Sequence, residues 1–301
     1  MLLGLAGELA ALGTAVCWTF TALWFTAASR RVGALPVNLL RMPVAFAWLA
    51  AWGLVTRGHA LPSDASAHAW TWLTASALAG FALGDLCLFR AFVLIGPRLA
   101  SLVMATAPAF TAVIGWLVLD ERLEALAILG IALTVSGLMI AIRERTAAPT
   151  TSPATEVGAP ARGLVLALLG ALGQALGLVL AKHGMGDYDA FASTQIRVLV
   201  GAVAFVAMTT AARGWPQVRA ALRDRTAMLR CALGGTFGPF LGVGLSLYAA
   251  QHTAAGIAAS LMATQPLLVI PFAVWLQGER AGPRAVVGAA IAVLGVALLL
   301  R

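Results

Sequence analysis

The chain nearly states one pattern twice, and nothing else in it constrains the fold as strongly. Met104-Ala105-Thr106-Ala107-Pro108 returns as Met262-Ala263-Thr264-Gln265-Pro266, a separation of 158 residues (266 − 108 = 158). Glu121-Arg122 and Glu279-Arg280, Gly130 and Gly288, and Gly137 and Gly295 keep the same interval. Earlier in each copy Arg41 answers to Arg197 and Arg57-Gly58 to Arg213-Gly214 at 156 residues (197 − 41 = 156), so one short loop differs in length. Two halves of similar fold are required.

What each half contains follows from its apolar runs. Ten segments are long and apolar enough to cross a bilayer: 5–28, 36–56, 69–95, 98–119, 124–142, 163–182, 191–212, 228–250, 254–277 and 284–300. A span needs about 20 such residues because a helix rises about 1.5 Å per residue and must satisfy its own backbone in lipid. The composition agrees, at 61% hydrophobic and 11% charged, against roughly 45–50% and 25% in ordinary soluble domains. The first segment lacks the basic leader of a signal peptide and is longer than an h-region, so it reads as a retained helix. The fold class expected is all-α integral membrane, with ten transmembrane helices.

The polar run 143–162, with Pro149, Pro153 and Pro160, is a linker. It separates a first five-helix unit, 1–142, from a second, 163–301. An odd number of spans in each unit makes the second enter the membrane from the opposite side, giving two inverted five-helix repeats. Inverted repeats are the common architecture of secondary transporters, with substrate held near the midplane between the halves. A duplicated scaffold that transports nothing is the bland alternative.

The net charge of +8 is distributed in short loops and not on a soluble face, so nucleic acid is not an expected partner. Arg57, Arg122, Lys182 and Arg301 fall on the face of the termini, and thirteen arginines fall on the other, which by the positive-inside rule puts both termini outside. Cys17, Cys87 and Cys231 have no metal-ligand or redox spacing. There is no HExxH, GxSxG or GxxxxGK[ST] run, so neither enzyme chemistry nor a cofactor is expected. A membrane-embedded enzyme is the alternative of a different class.

Gly84-Asp85-Leu86-Cys87-Leu88-Phe89-Arg90-Ala91-Phe92, then Gly96-Pro97-Arg98-Leu99-Ala100-Ser101-Leu102 and Leu119-Asp120-Glu121-Arg122-Leu123, form a recognisable pattern. Leu247-Tyr248-Ala249-Ala250, the run 254–261 and Gly278-Glu279-Arg280 repeat it. With the glycine-rich fifth span, the chain resembles the EamA-type permeases of the drug/metabolite transporter superfamily. The resemblance implies a ten-helix permease for small metabolites, often an exporter of amino acids or similar compounds, with a cavity lined by the first four helices of each half. It also implies termini in the cytoplasm, opposite to the loop charges.

Within the spans the ionisable residues are few. Arg41, Arg90 and Arg197 are the basic residues left after the loops and terminus are set aside, and each is near enough to a span end to snorkel. Repeat-related Arg41 and Arg197 could instead flank a cavity and bind a carboxylate. Asp85 lies deep in the third span and needs a partner or a proton. Arg90, five residues on, is about 140° around the helix, so Arg41 is the partner expected. Asp85 is also the candidate for proton coupling, and its repeat mate is Val243.

Substrate contacts are expected from Trp18, Trp24, Arg41, Gln174, Arg197, Tyr248 and Gln265. Glu8 reads as interfacial. Trp70, Trp72, Trp116 and Trp275 read as membrane-belt anchors. Gly80 and Gly84, with Gly234, Gly235, Gly238, Gly242 and Gly244, suit either close helix contact or a broken cavity helix. Gly130/Gly137 and Gly288/Gly295 suit packing of the last two helices of each half. The function expected is alternating-access transport of a small polar or amphipathic metabolite, such as an amino acid, across the inner (plasma) membrane by a multi-pass protein, outward and coupled to protons. Its partners are the small-molecule substrate and the lipid bilayer, with a homodimer as one available assembly; no metal is expected.

Overall fold

The computed structural model describes residues 5–144, 160–265, 268 and 283–300, and every regular element among them is a helix. Pro266, Trp275, Glu279-Arg280 and most of the linker lie outside the described residues. The first half comprises α1 (Ala6–Val32), α2 (Ala34–Arg57), α3 (Ala67–Ala77), a π-helical segment π1 (Leu78–Gly84), α4 (Asp85–Met104), α5 (Ala107–Leu119) and α6 (Ala125–Glu144). The second comprises α7 (Pro160–Met185), α8 (Ala190–Ala211), α9 (Trp215–Arg223), α10 (Arg225–Gly235), π2 (Thr236–Gly242), α11 (Val243–His252), α12 (Ala255–Met262) and α13 (Pro283–Leu299). Five stretches are by themselves long and apolar enough to cross a membrane: Ala34–Arg57, Ala67–Leu88, Ala161–Met185, Ala190–Ala211 and Arg225–His252.

Local chemistry sets the ends. Gly33, at φ 89°, separates α1 from α2, and Gly58 closes α2 in the left-handed region with its N–H on Leu54 O. Ser66, Asp189 and Asp224 cap α3, α8 and α10 by accepting from the third amide onward.

Two boundaries differ from the sequence reading. The helix runs through Gly96-Pro97 to Met104, and the chain turns at Ala105-Thr106. There Thr106 donates both its N–H and its hydroxyl to Val103 O, and Pro108 pre-sets the first turn of α5. The second copy turns at the matching Ala263-Thr264, where Thr264 bonds Leu261 O in the same way. The duplicated motif is therefore a helix break. The other difference is α9, too short to register as a span, which buries Val218 and Ala221 and exposes Arg219 and Arg223.

The halves interleave, and their largest contacts are matched by their repeat mates. The first helix of each half packs on the third span of the other: α1 on α10, π2 and α11, and α7 on α3, π1 and α4. Equivalent helices also meet: α2 with α8, α5 with α12, and α6 with α13. In the first pair Arg41 lies by Phe205 and Trp52 by Phe191, so the early part of one helix meets the late part of the other. Gly130 with Leu299 and Gly137 with Ala292 show the same opposed direction for α6 and α13. A Cβ on Gly137 would sit 2.4 Å from the Ala292 amide nitrogen, so the backbones touch. These glycines thus join the last helix of one half to the last of the other, where the sequence suggested neighbours within a half. The reason is steric: Gly130 faces Gly295 O and Gly137 faces Gly288 O.

Candidate functional site

The middle of the third span is widened into π1, which loosens the backbone ladder and leaves carbonyls free for side chains. Gly80 and Gly84 are four residues apart and share one face with no side chains. Against them lie Gly177 and Gly173 of α7; a Cβ on Gly177 would come within 2.9 Å of Gly80 Cα, and one on Gly173 within 2.8 Å of Gly84 Cα. Ser76 adds a buried hydroxyl bond to Gly177 O. This backbone contact sets Gln174 beside Asp85, the first residue after π1. Gln174 Nε2 donates to Asp85 Oδ1 at 2.9 Å and to Gly80 O at 3.4 Å.

Asp85 Oδ2 pairs with Arg41 Nη2 of α2 at 3.5 Å, the partner expected, with both side chains at least 84% shielded. Arg41 also rests against Phe25 and Phe205, 5.1 and 5.9 Å from the ring centres. Its repeat mate Arg197 is only 5% exposed, so neither guanidinium snorkels to an interface. Arg197 lies over Phe81, 5.0 Å from the centroid, and passes through the space left by Gly80. Arg90, by contrast, is exposed.

At the equivalent place, where π2 of the second half meets α1 of the first, the groups are aromatic. π2 stands 158 residues after π1, and its Gly238 and Gly242 press on Thr21 and Trp18 of α1. Trp18 occupies the repeat position of Gln174, and Val243 that of Asp85. Trp24 packs on Phe20 and Phe237 at 5.9 and 5.2 Å between centroids. Gln265 Nε2 donates to Trp18 O at 3.1 Å. Arg41, Asp85, Gln174 and Arg197 are thus brought together, with Trp18, Trp24 and Gln265 on the neighbouring aromatic side. Tyr248 is apart, stacked on His252 at 4.0 Å between rings and packed against the apolar clusters that hold Leu247 and Leu261.

A second polar group lies elsewhere in the bundle. Lys182 Nζ pairs with Glu121 Oε1 at 2.6 Å and donates to Thr253 O at 2.6 Å. Glu121 Oε2 accepts from Ala255 N–H, and Thr253 Oγ1 donates to Glu8 Oε1 at 2.9 Å. Glu8, read as interfacial, therefore ties α1 to the turn before α12.

The sequence reading did not pick out this cluster, the arginine-facing Phe81 and Phe205, or Phe20 and Phe237. Phenylalanines in an apolar span carry no local signal. The Glu121 and Lys182 pair spans the two halves, and a contact between halves leaves no trace in the repeat register.

Comparison with known families decides the larger question. The profile of the EamA-like transporter family matches residues 5–143 and again 161–301. The chain belongs to the EamA-like transporter family. This EamA chain is accordingly a multi-pass membrane transporter of the drug/metabolite transporter superfamily, built from two family repeats. One solved crystal structure, whose description names no activity, superposes with a TM-score of 0.74 at 16% sequence identity, covering 97% of this chain and 95% of that one. That likeness concerns the fold. No curated protein matches the EamA chain significantly.

Proposed function

We propose that the protein is a secondary transporter that moves a small polar or amphipathic metabolite, such as an amino acid, by alternating access between two inverted five-helix halves. The observation that carries this reading is the opposed crossing of α2 with α8 at a buried polar cluster, matched by the opposed packing of α6 and α13. Helices related by the repeat yet antiparallel are what ten spans, divided as 1–142, 143–162 and 163–301, would give. The site sets charged groups, Arg41, Asp85 and Arg197, beside aromatic ones, Trp18, Trp24 and Phe237, each set drawn from both halves, which suits a substrate with a polar end and an apolar end. Trp18, Trp24, Gln174, Arg197, Tyr248 and Gln265 are its proposed contacts, and Arg41 is open to the substrate only when it leaves Asp85.

Asp85 is the proposed proton carrier, since its two partners come from different helices, α2 and α7, and a rocking motion would separate them. Direction is proposed as outward, across the inner membrane. The test is flux of labelled metabolites in proteoliposomes, with and without a pH gradient. A chemically unchanged substrate should accumulate, and Asp85→Asn should leave a folded protein whose flux ignores the gradient; conversion of the compound would indicate an enzyme, and intact pH-driven uptake in the variant would remove Asp85 from coupling. Orientation is testable at Arg219, exposed on α9. A cysteine there, without the native three, should be protected from an impermeant thiol reagent in intact cells if both termini are outside.

A further inference from the structure

Two buried guanidiniums share one carboxylate. Asp85 has both oxygens engaged, Oδ2 by Arg41 and Oδ1 by Gln174. Arg197 feels the charge of Asp85 without reaching ion-pair distance. Its Nε, like that of Arg41, is buried with no hydrogen-bond partner, but among the described residues Arg197 has no ion pair, and its guanidinium lies over the face of Phe81. It lies seven residues into α8, about 10 Å along the axis, and is 5% exposed. A charged group so shielded is strongly disfavoured unless something pairs with it. Arg41 solves that problem inside the protein, and Arg197 does not.

We propose that Arg197 is the receptor for an anionic group of the substrate, a carboxylate or an oxyanion of similar geometry, while Arg41 is committed to Asp85. The repeat mates have diverged in role because only the first half supplies an acid after its π segment; Val243 stands at the corresponding place in the second. The planar fork of Arg197 can bind such a group by two parallel hydrogen bonds. Gly80 keeps the approach open: a Cβ there would lie 3.4 Å from Arg197 Nη2. The apolar remainder of the ligand would extend toward Trp18, Trp24 and Phe237. The substrate class is thus a small amphipathic anion or zwitterion, and a purely cationic compound is excluded.

The idea rests on the transporter reading for its biological meaning, but its test needs no flux. Purified protein in detergent is melted with 3-phenylpropionate and with the uncharged 3-phenylpropanamide. Wild type should gain a few degrees in Tm with the acid, rising with concentration, and nothing with the amide. Arg197→Met should lose that gain, and it should melt higher than wild type without ligand, because a lone buried charge has been removed. Arg41→Met should melt lower, since it strands Asp85. Arg197→Lys, which keeps the charge and loses the fork, should show a weakened response. Equal protection by acid and amide, no protection by the acid, an unchanged response in Arg197→Met, or destabilisation by Arg197→Met comparable to that of Arg41→Met would each overturn the assignment. Binding with no flux of any compound would leave Arg197 as an anion site and remove the transport reading instead.

Discussion

Single residues show how differently charges are handled inside and outside the membrane-spanning part. Asp64, in the loop after α2, is ion-paired with Arg57 and accepts from Tyr188 Oη at 2.9 Å. The Arg57 hydrogen bond holds its carboxyl at about 2, below the ordinary 3.8, while burial pushes the Tyr188 hydroxyl up to about 12. A depressed carboxyl stabilises the fold above its unfolded pKa and loses that contribution as pH falls through the folded value. The Tm difference between wild type and Asp64→Asn should therefore be constant above about pH 4 and vanish toward about pH 2. It should also be small, because the Asp64 side chain is 40% exposed and water screens the pair. The sequence singled out Asp85 because an acid deep in a span has few options, and the same reasoning found Arg41. It did not distinguish Arg41 from Arg197, since that depends on which guanidinium the lone carboxylate reaches.

At the scale of elements, the glycine spacing was legible and its consequence was not. Gly80 and Gly84 at one turn's interval announce close approach, but whether the helix packs or widens depends on its neighbour, and here it does both. Gly177→Ala should destabilise the α7 contact by about 1–3 kcal/mol, the usual effect of forcing a methyl into a filled interface. The same change at Gly186, with open space around it, tests φ +48° strain instead. Two-state melts of the two variants should differ in one respect, with only Gly177→Ala also weakening the response to anions.

The Glu121 and Lys182 pair is likewise an interelement feature, joining the end of α5 to the end of α7. Its two side chains are 15% and 20% exposed, so removal of either should cost about 2 kcal/mol, between the surface and buried limits. Glu121→Gln with Lys182→Met should lose less than the two single losses together, read as a double-mutant cycle by thermal melts. Glu121 has Glu279 as its repeat mate, but the other four positions differ: Leu164 for Glu8, Thr26 for Lys182, Ile95 for Thr253 and Pro97, which has no N–H, for Ala255. The polar tie thus has no counterpart of the same chemistry at these positions in the other copy.

For the whole molecule, the duplicated register carried most of the architecture. It identified two similar halves and the correspondence of Arg41 with Arg197, because residues held at 156 and 158 survive any error in span boundaries. It was blind to the interleaving, in which the first helix of each half completes the third span of the other, since contacts between halves leave no periodic trace. The framework is symmetric and its centre is not: equivalent helices cross in opposite directions, yet Asp85 follows π1 where Val243 follows π2, and Gln174 faces π1 where Trp18 faces π2. An anion admitted at that centre would be held by Arg197 until the halves rock. The most direct test is flux of radiolabelled 3-phenylpropionate, and of amphipathic amino acids, into proteoliposomes of known protein content. Saturable accumulation of the unaltered compound, absent from empty liposomes and abolished by Arg197→Met, is the predicted result. Flux equal to that of empty liposomes for every compound, or recovery of a chemically changed product, would contradict it.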